Sequence, residues 1–228
     1  MDTPDLIPLI LAAAAFVGSH LGVSSTRLRP WLIARLGRGA YLGLYSALSV
    51  ACLVWLIFAY ADTPFLPLWP ETRAARWLTV GLMPVALILL VGGLRPDNPT
   101  LLIHRADSIV EPPHGILAVT RHPMMWGIGL TAILHLLAAG DLSSLIMFGS
   151  VSGLALGGTI LQDARKRQED PALWTRLAAQ TSHLPFLAIL QGRAHVTGRA
   201  LAVPVIGGLV LYGLMLAAHQ SLFGISPF

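Results

Sequence analysis

Six apolar stretches, each close to the ~20 residues that a helix needs to cross hydrocarbon, constrain this chain more than any other feature. They run over residues 6–24, 41–61, 77–94, 123–139, 142–162 and 201–218. Only 11% of the 228 residues are charged, whereas a soluble globular domain carries about 25%. In lipid, only helices and closed barrels satisfy every backbone polar group, and these stretches have helical length. The expected fold is therefore all-α: a polytopic membrane bundle of about six transmembrane helices forming a single domain over residues 1–228. Asp2 and Asp5 stand where a secretion signal would be basic, so the first span is expected to be retained.

Cationic residues are held on the cytoplasmic side of a membrane. Thirteen of the fifteen Lys and Arg residues lie in the first, third and fifth connections, and only Arg73 and Arg76 lie in the second. Both termini are thus expected on the outer side. This bias accounts for a pI near 9.8 without a nucleic-acid partner. Lipid is the expected surrounding.

Within this frame the segment Thr120-Arg121-His122-Pro123 stands out, since ionisable groups at membrane depth are expensive and tend to be functional. Pro123 suits the first position of a helix, which puts His122 at or beside the N-cap, near free N–H groups and a positive dipole end. His20 falls near the same end of the first span, so the two imidazoles can face each other at one level. His135 lies thirteen residues beyond His122, about 20 Å along a helix axis. It is expected to make a structural contact with a neighbouring helix or Asp141. Arg121, with Arg27, Arg29 and Arg35, can grip carboxylates or phosphates through paired N–H donors. A haem with axial imidazoles would use all these parts, and so would a nucleotide-like cofactor. Trp126, just inside the fourth span, can stack on a flat ligand.

The remaining features have plainer readings. His104, His114, His183 and His195 occupy connections and read as solvated, and His219 reads as interfacial. Tyr41, Tyr45, Ser46 and Ser49 form a polar stripe suited to interhelical hydrogen bonds, and Gly149, Gly153 and Gly157 form a small-residue series suited to close packing. Trp69, Trp77 and Trp174 read as aromatic anchors at the interfaces. Cys52 is alone within a span, so packing is its default role. The mixed-charge run 163–170 reads as a solvated continuation of the fifth span, with Asp163 and Arg165 the members closest to a ligand. Residues 95–120, rich in proline, are expected to be extended and to fold over the site as a lid. An interfacial helix is expected over 172–179.

Taken together, Gly18-x-His20, Leu28-Arg29-Pro30, Leu36-Gly37, Tyr41-x-x-x-Tyr45-Ser46, Thr120-Arg121-His122-Pro123, Leu134-His135-Leu136 and Gly140-Asp141 resemble the NnrU family. That family includes the 15-cis-zeta-carotene isomerases. The resemblance runs from about residue 10 to 170. It implies a multi-pass protein of the bacterial inner (cell) membrane linked to nitric oxide and denitrification metabolism. It also implies haem b on His20 and His122, flanked by Arg121, Arg29 and Trp126. Partners implied are nitric oxide reductase components or a hydrophobic polyene, the latter for isomerase-like chemistry at the haem. The chain departs from the isomerases at Leu21-Gly22 and Met124-Met125, where they tend to have Ser-Gly and Gln.

A second resemblance is carried by Gly115, Thr120-Arg121-His122-Pro123-x-x-x-Gly127 and Glu169-Asp170. This pattern is similar to the isoprenylcysteine carboxyl methyltransferases, which bind S-adenosylmethionine, although the usual Tyr and paired Glu are absent. The third class is a non-catalytic assembly factor for a respiratory reductase.

Overall fold

The computed structural model describes residues 5–95, 98 and 113–228. Ten helices appear among them, with no strand beyond an isolated bridge between Pro67 and Asp141. They are α1 (Ile7–Ser24), α2 (Leu28–Leu36), α3 (Arg38–Ala61), α4 (Arg73–Gly93), α5 (Ile116–Val119), α6 (Pro123–Ala139), α7 (Leu142–Glu169), α8 (Pro171–Gln180), α9 (Leu187–Leu190) and α10 (Gly198–Phe223).

Five of these, α1, α3, α4, α7 and α10, are long and apolar enough to cross a membrane. The sixth expected span, α6, is equally apolar but has only 17 residues. Most of their apolar side chains point outward: Leu44, Phe58, Val203 and Ile206 are all more than 60% exposed. In water this would be a large unburied apolar surface, whereas in lipid it is the surface that faces the acyl chains. The architecture is a multi-pass helical bundle.

Helix α7 is the element that both halves of the bundle share. On one side α4, α6 and α10 pack together, with α6 against α7, and on the other α1 and α3 pair with each other and also touch α7. Glycine sets the tightest contact. A Cβ on Gly127 of α6 would lie 2.5 Å from the Leu90 nitrogen of α4, and one on Gly93 would collide with the Met124 nitrogen. The two backbones therefore touch, which fixes the start of α6 against the end of α4.

The expected small-residue seam is not where the structure packs most closely. A Cβ on Gly153 or Gly157 would meet nothing within 4 Å, and one on Gly149 would meet only the tip of Leu145. Spacing alone shows that a helix can offer a groove; which groove is filled depends on its neighbours.

Two prolines sit inside spans, Pro84 in α4 and Pro204 in α10. Proline lacks an N–H, so Pro84 leaves the Val80 carbonyl one turn earlier without its helical partner. Tyr212 of α10 donates its hydroxyl to that carbonyl at 3.0 Å. The proline is tolerated because a neighbouring helix re-satisfies the freed group.

Other expectations change in detail. The fifth span does continue as a helix beyond the apolar part, to Glu169. The interfacial helix is α8, one residue longer at each end than expected. The short helix α2, over Leu28–Leu36, lies in a connection where Pro30 and the arginines mask its pattern. The proposed extended lid lies largely outside the described residues; its described end is the helical turn α5. Asp141 does not bind His135 but caps α7, accepting from the Ser144 N–H at 3.1 Å. His135 donates instead to Thr131 in its own helix, and its ring faces Phe148 and His219.

Replacing Tyr212 with Phe should lower stability in detergent by ~1 kcal/mol, the scale of an interhelical hydrogen bond, read as a lower unfolding temperature. Gly127→Ala should cost more, about 1–3 kcal/mol for overpacking against a backbone that cannot yield.

Candidate functional site

The start of α6 and the loop after α8 are stitched together by backbone. Arg121 N–H donates to the Ser182 carbonyl at 3.0 Å and Phe186 N–H to the Val119 carbonyl at 2.8 Å. The Thr120 hydroxyl reaches the carbonyls of Ser182 and His183, and the Trp126 indole N–H donates to the His183 carbonyl at 2.9 Å. These bonds bring His183, more than sixty residues beyond Thr120 in sequence, over the imidazole of His122. The two ring centroids are 5.6 Å apart. His183 is thus a member of the site rather than a solvated loop residue. Nothing in the local sequence marks it, since its place depends on pairing between two distant loops.

His122 is the N-cap of α6, with Pro123 at the first helical position, as the sequence predicts. Its side chain is fully buried. Asp163, where the apolar part of α7 ends, accepts from His122 Nε2 at 2.5 Å. The same carboxylate is held by the Arg121 fork, with Nε at 3.0 Å from both oxygens and Nη2 at 2.5 Å from Oδ2. The Arg121 guanidinium also lies over the Trp174 ring, 5.7 Å from its centroid. Trp174 is 4% exposed, so it is a packing surface for Arg121 and not the interfacial anchor expected.

This arrangement sets the state of His122. Burial pushes its pKa below the ordinary imidazole range, against the opposing pull of Asp163. A neutral ring that donates from Nε2 has a bare lone pair on Nδ1. That atom is buried and has no hydrogen-bond partner. A histidine held by a carboxylate through one nitrogen and bare at the other has the arrangement of a metal-ligating imidazole.

Among the described residues, His122, Asp163 and His183 form a group whose ligand atoms lie within 4.8 Å of one another. Asp163 is already engaged by the Arg121 fork, so the imidazole nitrogens are the better ligands of this set.

The other expected members lie elsewhere. His20 donates from Nδ1 to its own helix at the Phe16 carbonyl, 2.7 Å away. Its ring lies against Phe16 and Tyr45. In the neutral ring this leaves Nε2 bare, so His20 too has the tautomer of a ligand. Arg29 pairs with Glu169 at 3.0 Å. Both belong to the side of α7 facing α1 and α3, where Arg165 reaches the Ser24 carbonyl of α1. Arg165 follows Asp163 by two residues, about 200° around the helix. Of the five residues expected to bind a cofactor, then, His122, Arg121 and Trp126 come together on one side of α7. His20 and Arg29 form part of a second cluster on the other.

Removing the Asp163 carboxylate should be the most damaging change in this network. Asp163→Ala removes the carboxylate held by the Arg121 fork and by His122 in a site only 12% exposed, a loss of about 3–5 kcal/mol for breaking a buried pair on one side. His183→Ala should cost far less, and thermal unfolding of the two variants side by side measures the difference.

No curated protein and no solved structure matches the chain at a significant level. The family model described as NnrU protein matches residues 8–227, nearly the whole length and well past the residue-170 limit of the motif blocks. The chain belongs to the NnrU family.

Proposed function

We propose that this NnrU-family chain is a haem-binding membrane protein in which His122 is the iron ligand. The observation that carries this reading is the bare, buried Nδ1 of His122, whose other ring nitrogen is fixed by Asp163. A carboxylate in that position sets the tautomer, orients the ring and makes the free nitrogen a stronger donor. Arg121 balances the Asp163 charge, so the carboxylate stays ionised without a net charge at the membrane boundary. The Trp126 indole, committed through its N–H to the His183 carbonyl, keeps an apolar ring beside the His183 imidazole.

Haem b bound here would supply one-electron exchange, capture of a small gas such as nitric oxide, or isomerisation of a polyene double bond. His20 is the second candidate ligand, with a bare Nε2 of its own, but the helix α7 separates its cluster from that of His122. The reading therefore assigns His122, and not His20, as the residue that would hold the haem. The methyltransferase alternative is less well supported. It needs Arg121 open to an anionic ligand, and that fork is closed on Asp163.

The family resemblance extends this reading to nitric oxide and denitrification metabolism in the bacterial inner membrane. Six crossings, both termini on the outer side and contact with nitric oxide reductase components belong to it.

The test is the visible spectrum of the protein purified in detergent after expression with added haem precursor. The expected result is a Soret band that His122→Ala abolishes and His20→Ala leaves in place. A folded protein with no Soret band, even after haem is supplied in vitro, overturns the proposal.

A further inference from the structure

The far side of α7 carries a second polar cluster, which the haem reading does not use. Arg29 of α2 and Arg165 and Lys166 of α7 all converge on one carboxylate, Glu169, at 3.0, 3.8 and 3.5 Å. Three cations share one anion, and among the described residues no other carboxylate pairs with them. Their side chains are only 25%, 21% and 19% exposed, so water screens the excess charge incompletely. The Arg165 Nε is buried and makes no hydrogen bond, while one of its terminal nitrogens has a long contact of 3.4 Å to the Ser24 carbonyl. The Tyr41 hydroxyl beside Arg29 is neutral, so the cluster lacks negative charge, and the Arg165 Nε lacks an acceptor.

Its surroundings point to the source of both. Helix α2 buries none of its residues. Leu28, Trp31 and Leu36 on it are 42%, 54% and 45% exposed. A short helix of this kind, joining two spans and carrying cations beside exposed apolar side chains, has the composition of an element lying in the membrane interface. An acyl chain can rest on the apolar side chains while a phosphate meets the cations. Guanidinium forks suit phosphate oxygens, and an ammonium adds a point charge.

We propose that Arg29, Arg165 and Lys166 form a binding site for a phosphate anion, supplied by the headgroup of an acidic membrane lipid. This site is independent of haem and of His122, and it stands if the haem proposal fails.

The experiment measures the unfolding temperature of the full-length protein in a neutral detergent. The probes are phosphatidylglycerol in mixed micelles, phosphatidylcholine in the same micelles, and inorganic phosphate without lipid. The expected result is a saturable rise with phosphatidylglycerol only, with affinity falling roughly fivefold for each cation removed in Arg165→Gln and Lys166→Gln. Arg167→Gln, on the same helix but outside the cluster, should behave as the parent does. A matching rise with inorganic phosphate, lost in the same variants, would keep the phosphate site but assign it to a free anion. Equal rises with both lipids, or equal weakening by Arg167→Gln, would overturn the site as unspecific. If Arg165→Gln does not fold, Lys166→Gln against Arg167→Gln decides alone.

Discussion

The carboxylate of Asp163 is the point on which the polar interior of this protein rests. It sits where the apolar run of α7 ends, and it satisfies the buried cation of Arg121 and the N–H of His122 together. A lone charge at that depth costs several kcal/mol, whereas a forked pair with a further hydrogen bond satisfies both ions. Remove it and Arg121 loses its forked partner, His122 loses the contact that selects its tautomer, and the loop bearing His183 loses the charged group beneath it. The stitching of residues 119–122 to 182–186 then holds a site with nothing at its centre.

Much of the scaffold is legible in the sequence because it follows from one-dimensional quantities. Length and hydropathy of the runs are enough to place α1, α3, α4, α6 and α10 within about five residues of their ends and α7 at its start, while the far end of α7 runs past its apolar stretch to Glu169. The N-cap position of His122 follows from Pro123 alone. The close approach of α4 and α6 does not, since Gly93 and Gly127 look no different from the unused series Gly149, Gly153 and Gly157. Helix packing is decided by which faces meet, and that information lies between segments.

The site divides in the same way. Arg121, His122 and Trp126 are visible because four consecutive residues combine a cation, an imidazole and a helix start at a membrane boundary. Asp163 is visible as a charge at a span end. His183 and Trp174 are not, because their roles come from a loop and a short helix folding back over α6. Sharing a depth does not place His20 beside His122, since depth along the axis says nothing about which side of an intervening helix a residue occupies. Two residues of one helix, Asp163 and Arg165, serve clusters that face away from each other.

The shortness of α6 has a consequence for the surrounding bilayer. Seventeen residues rise about 26 Å, less than the ~30 Å of an average hydrocarbon layer. Its neighbour α4, with 21 residues, is long enough to bridge that layer, and the glycine contact binds the two helices rigidly together. Of the two, α4 alone has the length to match that layer. A helix of that length matches a thinner hydrocarbon layer than its longer partner does.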